Sequence, residues 1–325
     1  MQLAWSLGYG RLSLLSSFAI LLLTFPFGTL VHEMGHYLAG RACRQACLRF
    51  AIGPLELARA GGRWTLRWIP LSHAGAVGLA PSTFHRFRLQ RALCSAGGPA
   101  ASAVVGVGFL LLSLHASSRV LYWTWAFALQ WALVGVMALV PVNVLGVRSD
   151  GLNLWEAIRG GEPLDRTERD LLTPASHATP LRVADWPHDL VVRLPALPAD
   201  PANRRFHHYL AYIHFLDRGD VKSAAPHLDA LAATRAAGDP PEYALEAAYF
   251  YGFHRKDAAC ARRWLEMEEK DAEPWVRLRA RAAAEQAAGN TDQARSLIFQ
   301  ALALLKAQPT CGAWQYEIDR LLEMQ

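Results

Sequence analysis

Charge is missing from long parts of this 325-residue chain. Residues 12–40 hold no Lys, Arg or Asp and a single Glu, Glu33, while residues 92–118 and 120–147 contain none of the four. Each run exceeds the roughly 20 residues a helix needs to cross a bilayer, which excludes an ordinary soluble fold for the first half. A secretory signal peptide is a weaker reading of the first run, which is too long for one and has no small-residue cleavage site. Acid is scarce too: between Arg41 and Arg91 nine arginines face one acid, Glu56, whereas the connection between the second and third runs carries only Arg119. The positive-inside rule then puts the long loop in the cytosol, the amino terminus outside, and everything after Val147 in the cytosol. The net charge of +5 is accordingly assigned to anionic lipid headgroups, with no nucleic acid as partner. Lysine is rare, four against 29 arginines; with the abundance of Ala, this implies a GC-rich bacterial genome and so an inner (cytoplasmic) membrane. The five cysteines are odd in number and mostly on the reducing side, so no disulfide is expected.

What is present falls into three parts: a transmembrane core over 1–160, a linker over 161–202 and a cytosolic helical domain over 203–325. Residues 48–81 alternate short apolar stretches with Arg and are broken by Gly53-Pro54, Gly61-Gly62 and Pro70, which predicts strands and hairpins at the membrane surface. Seven prolines between 162 and 202 predict an extended segment with little regular structure. Beyond it the text is Ala-rich and helical. Aligning Ala225, Ala261 and Ala294 gives a period near 34 residues, with turns at Gly219-Asp220, Lys256-Asp257 and Gly289-Asn290, similar to tetratricopeptide helix hairpins. An unrelated helical bundle is the competing reading. The fold class expected is therefore mainly α: a three-span helical core with a short β segment, then a repeat-like soluble domain. Tyr122, Trp123, Trp125 and Trp131 open the third span and fit an interfacial aromatic belt.

The chemistry-bearing stretch is LVHEMGHYLAG, residues 30–40, inside the first apolar run. On a helix, residues i and i+4 share a face, so His32 and His36 can offer two imidazoles to one Zn2+ with Glu33 beside the open position as general base. Ionisable groups at membrane depth are costly and mark functional sites by default. Zinc needs a third protein ligand, expected from another span. The third run ends ALVPVNVLGVRSDGLNLW, in which Asp150 is the only acid; it is either that ligand or an ordinary helix cap.

HEMGH at 32–36, IGP at 52–54, SAGGPAAS at 95–102 and PVNVLGVRSDG at 141–151, in that order, resemble the site-2 protease family of intramembrane zinc metalloproteases. The resemblance implies His32, His36 and Asp150 as zinc ligands, Glu33 as base, and a membrane-embedded protein substrate cut near the cytosolic face, in regulated intramembrane proteolysis. His32 lies nine residues before Arg41, about 13 Å of helix, which agrees. Ser102 and Ala138 stand where the family often has Asn, and Asn143 lies beyond Pro141; Ser102 and Asn143 are the candidate substrate-binding residues. PLSHAG replaces the family's PLGGY on an edge thought to pair with extended substrate, and His73 there is not expected to be a ligand. Residues 203–325 are expected to bind a cytosolic protein partner. The reading from a different class is an inactive, membrane-anchored adaptor working through its helical repeats. A zinc transporter would need more intramembrane carboxylates and histidines than three spans provide.

Overall fold

The computed structural model describes residues 14–60, 63–70, 75–115, 118–144, 146–236, 238–267 and 272–325. It is mainly helical with a small sheet, and it divides into two compact units, 1–81 with 86–164 and 82–85 with 165–325.

In the first unit each apolar run becomes a helix: α1 is Leu14–Ala42, with Pro26 in its interior, α2 Phe87–Ser113, with Pro99 in its interior, and α3 Ser118–Leu139. Among the described residues α2 alone is long and apolar enough, by length and composition, to qualify as a membrane span. α1 and α2 cross at glycines. A Cβ on Gly35 would stand 2.3 Å from the Gly97 carbonyl, and one on Gly97 would stand 2.5 Å from the Gly35 carbonyl. Close backbone approach through small residues is how helices associate when no hydrophobic drive separates protein from lipid. Trp131, expected in an interfacial belt, is instead buried edge-on against Phe27 at 6.1 Å. The side chains of Tyr122 and Trp123 lie outside the described residues.

Between α1 and α2 the Arg-rich segment forms β1 (Ala46–Ile52), β2 (Leu55–Ala60), β3 (Arg63–Trp68) and β4 (Gly75–Ala80), an antiparallel sheet in the order β3-β2-β1-β4. The β1–β2 turn needs Gly53, whose φ is 53°. Its lone acid, Glu56, is buried and paired at 2.8 Å with Arg67 on β3. Residues 71–74 of PLSHAG, with His73, and the Gly61-Gly62 turn lie outside the described residues. After α3 a two-residue ladder of β5 (Asn143–Val144) and β6 (Val147–Arg148) leads into α4, Asp150–Arg159.

The expectation of an extended linker over 161–202 is corrected. Residues Glu162–Ala178 form α5, 17 residues long, and His188–Arg193 form α6, with Leu172, Val191 and Leu194 fully buried. The prolines mislead because three of the seven stand where helices tolerate them: Pro163 is the second residue of α5, Pro187 caps α6 and Pro201 opens α7 (Pro201–Asp217), while Pro174 lies within α5. The second unit then builds three helical hairpins: α7 with α8 (Val221–Ala233), α9 (Glu242–Phe253) with α10 (Ala258–Glu266), and α11 (Pro274–Ala287) with α12 (Thr291–Lys306), closed by α13 (Gly312–Glu323). Each hairpin turns on one left-handed residue, Gly219, Lys256 or Gly289. The alanine equivalent in all three is the fifth after that turn, so Ala224 aligns with Ala261 and Ala294, and the register through Ala225 is off by one; Ala224, Ala261 and Ala294 are all buried.

Candidate metal centre

Three donors converge in the first unit. His32 Nε2 lies 2.9 Å from Asp150 Oδ2, His36 Nε2 lies 3.2 Å from Asp150 Oδ1, and the two Nε2 atoms are 3.2 Å apart. The helical repeat of α1 places the imidazoles on one face, with ring centroids 4.9 Å apart. Asp150 is delivered by a tied loop: Ser149 donates to the Val140 carbonyl at 2.6 Å and accepts from Val142 N–H at 3.0 Å. Ser149 Oγ also caps α4 by accepting from Leu152 N–H at 3.1 Å, so the capping role falls to Ser149 and leaves the Asp150 carboxylate for the histidines. Gly151 permits this, since a Cβ there would stand 2.0 Å from the Leu139 carbonyl at the end of α3. Arginines of α2 hold both ends of α4: Arg91 donates to Asn153 Oδ1 in the first turn at 2.8 Å, and Arg88 to the Ala157 carbonyl in the last turn at 3.2 Å.

The distal ring nitrogens decide what the centre can hold. His36 Nδ1 stands 2.6 Å from the Cys94 carbonyl and 3.3 Å from the Gly98 N–H; in the tautomer that donates to the carbonyl, His36 presents a bare lone pair at Nε2. That lone pair faces the Asp150 carboxylate, also an acceptor, and His32 Nε2. One divalent cation satisfies all three at once. For a tetrahedral ion with bonds of ~2.0–2.1 Å the donors should lie about 3.3 Å apart, close to the separations found, and the donor set suits zinc. His32 Nδ1 is fixed by Ser102 Oγ at 3.0 Å, and Ser102 is fully buried. Such outer contacts orient metal-binding imidazoles.

Glu33 is 8 % exposed and lines, with His32, Thr29, Gly75, Gln130 and Ala138, a cavity of about 340 Å³. β4 begins against it, since a Cβ on Gly75 would come 2.7 Å from Glu33 Oε1. Of the expected site residues, His32, His36 and Asp150 are brought together and Glu33 opens into the adjoining cavity. Ser102 reaches His32, and Asn143, exposed on β5, is not among the cavity's lining residues. Sequence reasoning missed the Cys94 carbonyl, Gln130 and Gly98. Gly98 forms the floor: a Cβ on it would stand 2.3 Å from His36 Nε2 and 2.6 Å from His32 Nε2. Gly98→Ala is therefore expected to push the ring tips apart and weaken divalent-ion binding by roughly 10–100-fold or more, read by competition with a chelator.

Two histidines and a carboxylate at one point, beside a free glutamate, form the kind of centre used by metallopeptidases. The sequence pattern of Peptidase family M50 matches residues 18–308, most of the chain, and the protein belongs to that family, the site-2 proteases. Peptidases of this family are in general zinc metalloproteases and typically membrane-associated. No curated protein and no solved structure matches the chain.

Proposed function

We propose that the protein is an intramembrane zinc endopeptidase that hydrolyses peptide bonds in or beside the transmembrane segments of protein substrates. The observation that carries this reading is the convergence of His32 Nε2, His36 Nε2 and Asp150, with His36 Nδ1 held at 2.6 Å from the Cys94 carbonyl. His32, His36 and Asp150 would hold Zn2+, which when bound supplies Lewis acidity to the attacking water and to the scissile carbonyl. Glu33 takes one proton from the water as its oxygen adds to the carbonyl carbon, and delivers a proton to the nitrogen as the C–N bond breaks. Ser102 and the Cys94 carbonyl keep the imidazoles aimed.

We read α1, α2 and α3 as three spans; the length and composition of α2 and the outward-facing apolar side chains of α2 and α3, such as Val104 at 71 % and Leu129 at 72 % exposed, support the membrane placement. On β3, Trp64, Leu66 and Trp68 alternate with Arg63 and Arg67 and are all exposed, a pattern suited to the headgroup boundary. β4 is an edge strand starting beside Glu33, and an extended substrate adding to it would bring its backbone to the cavity. The inner (cytoplasmic) membrane, with residues 203–325 in the cytosol as a tetratricopeptide-like partner-binding domain, follows from the arginine asymmetry and the three hairpins.

Asp150→Ala tests the centre. Removing one of three protein ligands is expected to take bound zinc, measured by elemental analysis of the purified chain, from about one per chain to near zero. Cleavage of a single-span reporter should disappear with it. Full zinc retention in the variant would overturn the ligand assignment.

A further inference from the structure

The second unit contains a cavity of about 190 Å³ that the proteolytic centre does not use. Its wall is aromatic and acidic, with Trp186, Trp275, Trp314 and Tyr316 alongside Glu242 and Glu273. Glu246 and Glu317 also line it, but their charge is answered from within: Arg279 pairs with both, and Arg320 pairs with Glu246 at 2.7 Å and Glu317 at 3.3 Å. Glu242 and Glu273 make no ion pair among the described residues, which leaves the cavity with two uncompensated carboxylates. The Tyr316 side chain is 3 % exposed and its hydroxyl is buried, so it is the ring that contributes to the wall.

We propose that this cavity takes one cationic side chain, arginine or lysine, presented by a basic peptide segment of a partner protein. The unit already handles its own guanidiniums in this way. Arg279 sits over Tyr249 at 4.9 Å and Trp275 at 5.5 Å, and Arg320 over Tyr249 at 4.2 Å and Tyr316 at 4.9 Å, each also paired to carboxylates. Aromatic faces and carboxylates together select a cation over an apolar or anionic group. The volume falls below the roughly 300 Å³ at which drug-sized ligands are enclosed, which suits a side chain. Its source, the basic cytosolic flank of a membrane-spanning substrate, rests on the protease reading above.

The test is calorimetric titration of the full-length Glu33→Ala chain in micelles with acetylated, amidated Ala-Arg-Ala or Ala-Lys-Ala, and with the norleucine and glutamate analogues as comparators. Saturable binding is expected for the two cations alone. Glu242→Gln combined with Glu273→Gln should weaken it at least about tenfold. Equal binding of the norleucine peptide, no saturation up to about 10 mM, or binding that the double substitution leaves intact would overturn the site. Wild-type cleavage indifferent to basic residues flanking the reporter's span would overturn the assigned source, even where the titration succeeds.

Discussion

Replacing Glu33 with Gln is expected to lower cleavage of a single-span reporter by roughly 10²–10⁴-fold while bound zinc stays near one per chain. The two readouts separate because Glu33 lines the cavity and is not one of the three converging donors. Gln keeps the volume that β4 packs against at Gly75 but cannot take a proton from water. An inactive adaptor gives no cleavage in either chain, so the wild-type reporter band distinguishes the two readings. Loss of zinc in the variant would make Glu33 a ligand. Undiminished cleavage would require another base, and among the described cavity residues only His32 could serve.

The convergence of His32, His36 and Asp150 was largely legible in the sequence because it depends on short-range rules. A four-residue spacing on a helix fixes His32 against His36, and a single acid at the end of the third apolar run leaves Asp150 as the partner. The supports were not legible. A backbone carbonyl such as that of Cys94 has no residue-type signature, and its contact with His36 spans 58 residues of chain. Ser102 was singled out for substrate, but the crossing of α1 and α2 turns it towards His32, and that crossing depends on Gly35 meeting Gly97, a pairing that only three-dimensional packing selects. The hairpin turns were readable from Gly219 and Gly289, and Lys256 takes the same left-handed conformation without the glycine that usually marks it. Residues 161–202 were misread because proline was counted without regard to position, although proline in a first turn favours a helix. The buried ion network of the second unit gave no warning, since Glu246 comes from α9, Arg279 from α11, and Glu317 and Arg320 from α13, and each looks like a solvated charge in an Ala-rich background.

Glu246→Ala is expected to cost the second unit roughly 3–5 kcal/mol, the usual loss when one partner of a buried ion pair is removed. Arg279 is wholly buried and Arg320 is 3 % exposed, so neither cation can recover water when the carboxylate goes, and Tyr212 loses its 3.0 Å acceptor. The pH dependence separates this network from the unit's histidines. Burial would raise the Glu246 carboxyl, but Arg279 and Arg320 outweigh it and hold it at about 2, below its ordinary 4.5. Its contribution is thus complete above about pH 4.5 and is lost as pH falls towards 2. His227 and His254 are held down at about 4, mainly by burial, with His208 beside the first and Arg320 and Lys256 beside the second. The fold keeps them neutral, so their contribution is complete above about pH 6.5 and is lost as pH falls through 4. Wild type and Glu246→Ala should therefore lose stability in parallel from pH 6.5 to about 4.5 and converge only below that. Amide exchange of the second unit in the full-length chain would record both phases, and a gap that closed already at pH 6 would show that the arginines do not depend on Glu246 for their charge balance.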